Sequence, residues 1–140
     1  MRKPLILALA ILISPAAHAE KLVVEAFYDE NTRLLNTRLA ERVAFVSVYD
    51  LSAPERLERQ LSKGLPSDPK AARSIANERF KEGGNKLKFA FRDAYEGQMK
   101  AMSYKIEKVP AVVFNGGQAI IYGVADVNKA IAIYRKRGGR

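Results

Sequence analysis

Residues 108–117, Lys-Val-Pro-Ala-Val-Val-Phe-Asn-Gly-Gly, decide how this chain folds. Pro110 opens a run of apolar, strand-forming residues, and the Asn-Gly-Gly sequence at 115–117 closes that run with residues that favour turns. A second apolar run, at 118–122, follows directly. Two such runs joined by a short glycine-containing turn predict an antiparallel β-hairpin that the chain enters through a proline.

Working outward from the hairpin, the chain alternates between strand and helix patterns. Runs rich in β-formers at 21–27 and 43–49 flank a stretch with short helical character at 32–39, a β-α-β order that favours neighbouring parallel strands. Two or three helices are predicted between 52 and 104, and a last helix is predicted to begin at Asp126.

The predicted helices have identifiable starting residues and apolar faces. Ser52 and Asp68 are expected to cap the first two, each followed by a proline in the first turn. Glycines 83 and 84 are expected to end the second helix. The third is expected to run from about Asn85 to Tyr104, with its core face at Leu87, Phe91, Ala94, Tyr95, Met99 and Met102.

This order of elements predicts a thioredoxin-like α/β fold. We expect a four-stranded mixed sheet in the order 2-1-3-4, in which the first hairpin strand runs antiparallel to the first strand. The helical insert between the second and third strands is enlarged. Residues 20–140 form a single domain in this prediction, ending in a short basic tail, and its structural turn glycines are Gly64, Gly116, Gly117 and Gly123.

The N-terminus has the features of a cleavable signal peptide. Arg2 and Lys3 precede nine continuously apolar residues, 5–13, and Ala17 and Ala19 supply the small residues that a signal peptidase requires. Nine residues are too few for a bilayer-spanning helix, which needs roughly 20. We therefore expect cleavage after Ala19, a periplasmic product and no later transmembrane segment, with an uncleaved anchor as the alternative.

Residue types missing from the exported chain exclude several kinds of chemistry. The sequence has no cysteine, and its single histidine, His18, leaves with the signal peptide. Thiol–disulfide exchange, zinc–thiolate sites and histidine general bases are thereby excluded. No catalytic, cofactor-binding or metal-binding residues are predicted. An enzyme using carboxylates and tyrosine stays open if Asp29, Asp50 and Tyr122 converge.

Four residues are candidates for an interaction groove. In thioredoxin-like proteins a cis-proline at the position of Pro110 helps to form a peptide-binding groove, so Val109 and Pro110 are candidate contacts. Tyr28 and Asp29 follow the first strand, where a redox relative carries its cysteines. The alternative is that Pro110 only starts a strand and that Tyr28 and Asp29 belong to a solvated loop.

The positive charge suggests several kinds of partner. The net charge is +9, and it falls to +7 when Arg2 and Lys3 are removed with the signal peptide. Basic residues interleaved with aromatic ones can bind single-stranded nucleic acid, while an acidic protein, anionic lipid or cell-wall polymer would also be attracted. The basic residues concerned are Lys81, Lys86, Lys88, Arg92, Lys100, Lys105, Lys108, Arg135, Lys136, Arg137 and Arg140.

Five motifs occurring in a fixed order resemble a known family. They span 50–57, 61–69, 94–97, 108–114 and 124–126. This set resembles the small exported proteins encoded in integrating conjugative elements, and the plan of the domain is similar to that of the TrbC and TraW proteins of F-type conjugation.

The resemblance implies a function but supplies no catalytic residue. It implies a non-enzymatic periplasmic component of a conjugative type IV secretion system, with a role in assembly or protein–protein interaction and other conjugation proteins as partners. The alternative function is a basic nucleic-acid-binding accessory protein of DNA transfer. The resemblance leaves the oligomeric state open.

Overall fold

The computed structural model describes residues 21–139, and the predicted signal peptide, 1–19, lies outside the described residues. The described part is an α/β domain with a four-stranded mixed sheet in the order β2-β1-β3-β4. The strands and helices, in chain order, are β1 (Leu22–Tyr28), α1 (Thr37–Ala40), β2 (Ala44–Asp50), α2 (Ala53–Ser62), α3 (Pro69–Ser103), β3 (Ala111–Phe114), β4 (Ala119–Tyr122) and α4 (Val127–Lys136).

The strand pairing confirms the predicted thioredoxin-like sheet. β1 pairs with β2 in parallel and with β3 antiparallel, and β3 pairs antiparallel with β4. The central strands β1 and β3 are covered on both faces, which explains why their sequences are almost continuously apolar. β2 and β4 form the two edges of the sheet.

One face of the sheet packs against α1 and α4. Even-numbered residues of β1, such as Val24 and Ala26, join Phe114 and the buried side of α4 in this core. The rings of Phe114 and Tyr134 stack with their centroids 4.2 Å apart, which fixes α4 over β3. The Asp126 carboxylate caps α4 by accepting a hydrogen bond from the Lys129 amide at 3.0 Å, as predicted.

The opposite face packs against the last turns of α3. Phe27 is fully buried there, with its ring 5.2 Å from that of Tyr49 and 6.1 Å from that of Tyr104. Gly97 lets α3 approach β2 closely, because a Cβ at this position would lie 3.0 Å from the Cβ of Tyr49. This second core is smaller and holds the aromatic contacts between sheet and helix.

The hairpin turn is fixed by the asparagine that opens it. Asn115 has a φ of 46°, and Gly116 and Gly117 follow with φ of 67° and 100°, values that glycine adopts without a steric penalty. The Asn115 side-chain oxygen accepts a hydrogen bond from the Val23 amide at 3.1 Å, so the turn is attached to β1. Gly64 and Gly123, the other predicted turn glycines, also have positive φ.

α3 consists of two helical segments separated at Gly84, where φ is 47° and ψ is −136°. The rings of Phe80 and Phe91 stack with their centroids 5.5 Å apart. In a straight helix, residues separated by eleven positions would be about 16 Å apart along the axis. The chain therefore bends sharply at Gly84, and the first segment ends at the glycine pair, as predicted. Asp68 caps this first segment through the Ala71 amide.

Two local predictions are wrong, and a third is confirmed in position only. The helical stretch at 32–39 is reduced to the four residues of α1. Ser52 is the N-cap residue of α2, as predicted, but its hydroxyl caps no amide of the helix and instead accepts a hydrogen bond from the Glu30 amide at 3.1 Å. Met99 and Met102 are 70% and 79% exposed rather than in the core. The buried side of α3 carries the small residues Ala94, Gly97 and Ala101, whose size permits the close approach to the sheet.

Candidate interaction site

The sheet brings all four predicted groove residues together at one end of its central strands β1 and β3. We call this region, formed by Tyr28, Asp29, Val109 and Pro110, the proline edge. In the antiparallel pairing of β1 with β3, Phe27 lies opposite Ala111, so Tyr28 and Asp29 leave β1 beside Val109 and Pro110. The Val109–Pro110 peptide bond is cis, as the thioredoxin-like resemblance implies. All four residues are partly buried. They share this edge with the end of β4, where the Gly123 amide donates to the Pro110 carbonyl at 2.8 Å.

The loop after β1 is attached to α2. The Tyr28 carbonyl accepts a hydrogen bond from the Leu51 amide at 2.8 Å, and the Glu30 carboxylate forms a 3.0 Å ion pair with Arg59. The Asp29 carboxylate accepts a bond from the Asn31 amide within its own turn. The loop after β1 is therefore held by several contacts and leads from Pro110 toward α2.

A cleft of about 360 Å³ lies on the α2 side of Tyr28. Its walls are the carboxyl end of β2, the first two turns of α2 and the second segment of α3. The lining is mixed: apolar walls, a tyrosine pair and three charged side chains. The lining residues are Tyr28, Val48, Tyr49, Asp50, Ala53, Arg56, Leu57, Gln60, Ala90, Asp93 and Ala94.

The charges in the cleft have partners within the chain. The Asp50 carboxylate lies 2.7 Å from the Arg56 guanidinium and also accepts a hydrogen bond from the Ser52 amide at 2.9 Å. The hydrogen bond to Asp50 raises the pKa of Arg56 above its ordinary value, so the guanidinium stays charged. Asp93 is paired with its neighbour Arg92 at 2.8 Å. The cleft is thus a neutralised surface that suits an apolar or uncharged segment.

The three residues considered for carboxylate chemistry have different surroundings. Asp50 is paired with Arg56, Asp29 is bound within its own turn, and the Tyr122 ring lies 5.6 Å from the Lys108 ammonium. Within residues 21–139, no group of three histidine, cysteine, aspartate or glutamate side chains could hold a metal ion. These contacts give each group a local structural role.

The buried Glu25 and the partly buried Lys100 and Tyr104 form a polar cluster that no sequence motif indicates. The Glu25 side chain, in the middle of β1, is 6% exposed. It accepts hydrogen bonds from the Lys100 ammonium at 2.5 Å and from the Tyr104 hydroxyl at 2.5 Å. A carboxylate in a strand that is covered on both faces requires such partners, and this requirement was the signal available in the sequence.

The cluster joins β1 to the end of α3. The hydrogen bond to Glu25 raises the pKa of the Lys100 ammonium well above its ordinary value, and burial opposes the shift. The hydrogen bond to Glu25 raises the pKa of Tyr104 above its ordinary value, and burial of the phenol raises it further. Both groups therefore keep their protons across the physiological range, and the three side chains act as one structural connection.

The basic and aromatic residues of α3 do not form an open stacking platform. The Phe91 ring lies between those of Phe80 and Tyr95, at centroid distances of 5.5 and 6.2 Å. The Tyr95 hydroxyl donates to Glu58 at 2.6 Å, and the Arg92 guanidinium lies 5.1 Å from the Phe89 ring. Phe91 is stacked between two rings, and Phe80, Tyr95 and Phe89 each have a side-chain neighbour, so these rings pack within the chain and do not line up as a row of free faces.

Comparison with known proteins gives one match. A family model described as "Protein of unknown function (DUF1525)" matches residues 29–137, which include α1–α4, β2–β4 and the loop at Asp29. No curated protein and no solved structure matches the chain. Among residues 21–139, no helix is both long enough and apolar enough to cross a membrane.

Proposed function

The chain belongs to the family described as Protein of unknown function (DUF1525), and we propose that it is a periplasmic component of the conjugative DNA-transfer apparatus of an integrating conjugative element. In this proposal the protein is not an enzyme. It is exported, loses residues 1–19 and contributes to the assembly of a type IV secretion system by binding other transfer proteins.

One observation carries the proposal that binding, and not chemistry, is the function. The proline edge of a thioredoxin-like sheet is present, with Pro110 beside Tyr28 and Asp29, in a chain of 140 residues without a cysteine. In thioredoxin-like proteins this edge binds extended segments next to the reactive thiols. Retaining the edge without the thiols leaves the binding surface as the part that can act.

The type of system is supported by the sequence motifs. The ordered motifs between 50 and 126 resemble those of exported integrating conjugative element proteins, and the predicted signal peptide agrees with action in the periplasm. The residues in these motifs have structural roles: Asp50 pairs with Arg56, Gly97 fits against Tyr49, and the 108–114 segment leads into β3.

Site-specific crosslinking in a conjugating donor tests this proposal. A photo-reactive amino acid placed at Asp29 lies at the proline edge, and the same residue placed at Ser67 lies on an exposed turn between α2 and α3. We expect Asp29 to give adducts with proteins of the transfer system and Ser67 to give far fewer. Each adduct is identified by mass spectrometry after purification of the chain from the donor envelope.

Two results would count against the proposal. Adducts at Asp29 that contain no transfer protein, obtained from a donor that transfers its element normally, would contradict a role in assembly. Adducts with DNA at the basic residues of α3, weakened steeply by added salt, would favour the nucleic-acid-binding alternative.

A further inference from the structure

The outer edge of β2 has an open row of backbone hydrogen-bonding groups. The Leu51 amide donates to the Tyr28 carbonyl. The backbone N–H and C=O groups of odd-numbered residues therefore point toward β1, and those of even-numbered residues point away from the sheet. The outward residues are Ala44, Val46, Val48 and Asp50. The alternation directs the backbone groups of these four residues away from β1, and no backbone hydrogen bond formed outside the helices and strands of residues 21–139 uses them.

This edge lacks the features that normally prevent strand pairing. β2 is seven residues long and contains no proline, lysine or arginine. Its single charged residue, Asp50, is already paired with Arg56. Phe45 and Val48 are 60% and 49% exposed. Edge strands of monomers are usually interrupted by charges, prolines or bulges, so a long apolar edge indicates a pairing surface.

The strand is complementary to itself in one antiparallel register. Centred on Ser47, this register places Ala44 opposite Asp50 and Val46 opposite Val48 of the second copy, so all four outward residues form hydrogen-bonded pairs. Phe45 then faces Tyr49 of the second copy in a pair without backbone hydrogen bonds, where side chains approach most closely. No two like charges meet along the strand.

The cleft provides space for the exposed ring. Tyr49 and Val48 line the cleft, whose other walls include Leu57 and Ala94. Because Phe45 of the second copy faces Tyr49 in this register, its ring enters the cleft. Phe45, near one end of β2, and the cleft, at the other end of β2, are thus brought together in the two copies by a two-fold axis.

The charges at the two ends of β2 are also complementary. Near the amino end lie four basic residues and one acidic residue, and the Lys21 ammonium is 4.5 Å from the Phe45 ring. Acidic residues exceed basic ones near the carboxyl end. Antiparallel pairing brings the amino end of β2 in one copy next to the carboxyl end of β2 in the other. The charged residues near the amino end are Lys21, Arg38, Arg42, Glu41 and Arg135. Those near the carboxyl end are Asp29, Glu30, Asp50, Glu55, Arg56, Glu58 and Arg59.

We propose that the protein is a dimer in which two β2 strands pair antiparallel about Ser47, forming a continuous eight-stranded sheet, with each Phe45 ring seated in the cleft of the other copy. This inference is independent of the conjugation role, because it uses only the geometry of β2 and the cleft. It assigns the cleft to a second copy of this chain and leaves the proline edge available to other proteins.

Single cysteines test the register directly, because the chain has none of its own. In the proposed dimer the two Ser47 residues face each other, and Ser47→Cys is expected to form a disulfide-linked dimer on mild oxidation. The matched control is Val43→Cys, an exposed residue just before the same strand and outside the cleft, whose two copies lie about 27 Å apart in this register and are too distant to link. Ser74→Cys, on an exposed helix surface, controls for random collision.

Sedimentation of the exported chain, purified from the periplasm, measures the dimer itself. We expect a dimer at micromolar concentration and a dissociation constant about tenfold or more higher for Phe45→Ala, with the folded content unchanged. A chain that is still monomeric at 100 times that concentration, or efficient linking by Val43→Cys without linking by Ser47→Cys, would overturn the proposal. The proposal would also be overturned if the purified chain is a monomer and a different protein, bound along β2, blocks disulfide formation by Ser47→Cys.

Discussion

Replacing Lys100 with methionine is expected to lower the free energy of unfolding by about 3 kcal/mol, a large share of the stability of a domain of this size. The substitution leaves the Glu25 carboxylate, which is 6% exposed, with Tyr104 as its remaining side-chain donor. Removing the cation costs more than the pair contributes, because the buried Glu25 carboxylate stays desolvated without its charged partner. Urea unfolding followed by circular dichroism measures the loss.

Two matched variants separate this cause from a general effect on α3. Lys88→Met lies on an exposed part of the same helix and is expected to change stability by less than about 0.5 kcal/mol. The double variant Glu25→Leu with Lys100→Met removes both charges and is expected to recover most of the lost stability. A double variant as unstable as Lys100→Met alone would show that packing, and not the unpaired carboxylate, causes the loss.

The same cluster predicts how stability depends on pH. Glu25 raises the pKa of Lys100 and of Tyr104 above their ordinary values of 10.5 and 10.0. Because these pKa values are raised in the folded state, the stabilisation that Glu25 gives through Lys100 and Tyr104 is fully present below about pH 10. It is lost as the pH rises through the pKa values of the folded protein. Glu25→Gln should therefore flatten the alkaline decline of stability, and an equally steep decline in that variant would contradict the assignment.

Replacing Phe27 with alanine is expected to lower the free energy of unfolding by about 4 kcal/mol. The ring is fully buried and lies between Tyr49 and Tyr104, so it joins β1, β2 and the end of α3. Its removal leaves a cavity that these aromatic neighbours cannot fill without moving the helix. Thermal and urea unfolding of the variant measure the effect.

The control is a phenylalanine of the same size on the surface. Phe89→Ala removes a ring that is 53% exposed and is expected to cost less than about 1 kcal/mol. If Phe27→Ala does not fold at all, Phe27→Leu keeps most of the volume and should lose less than about 1.5 kcal/mol. Equal losses for Phe27→Ala and Phe89→Ala would contradict the central position given to Phe27.

The order and pairing of the strands could be predicted from the sequence because each signal was local. Pro110, the turn at 115–117 and the alternation of strand and helix patterns point to one topology, and the register of the sheet then places Tyr28 beside Pro110. The glycine pair at 83–84 also predicts where the first segment of α3 ends, and the direction of the helix changes at Gly84.

The polar cluster and the cleft could not be predicted because they depend on long-range packing. Lys100 lies 75 residues from Glu25 along the chain, and no local pattern links them. Met99 and Met102 were assigned to the core because large apolar residues at helical spacing usually lie there. The helix instead buries Ala94, Gly97 and Ala101, because only small residues allow it to lie against Tyr49.

The transfer frequency of the conjugative element from a donor lacking this gene is the most direct test of the proposed function. We expect transfer to fall to the background of a donor without a transfer system. The full chain supplied in trans should restore it, whereas a chain lacking residues 1–19, which stays in the cytoplasm in our account, should not. Unchanged transfer from the deletion donor would contradict a role in the conjugation apparatus.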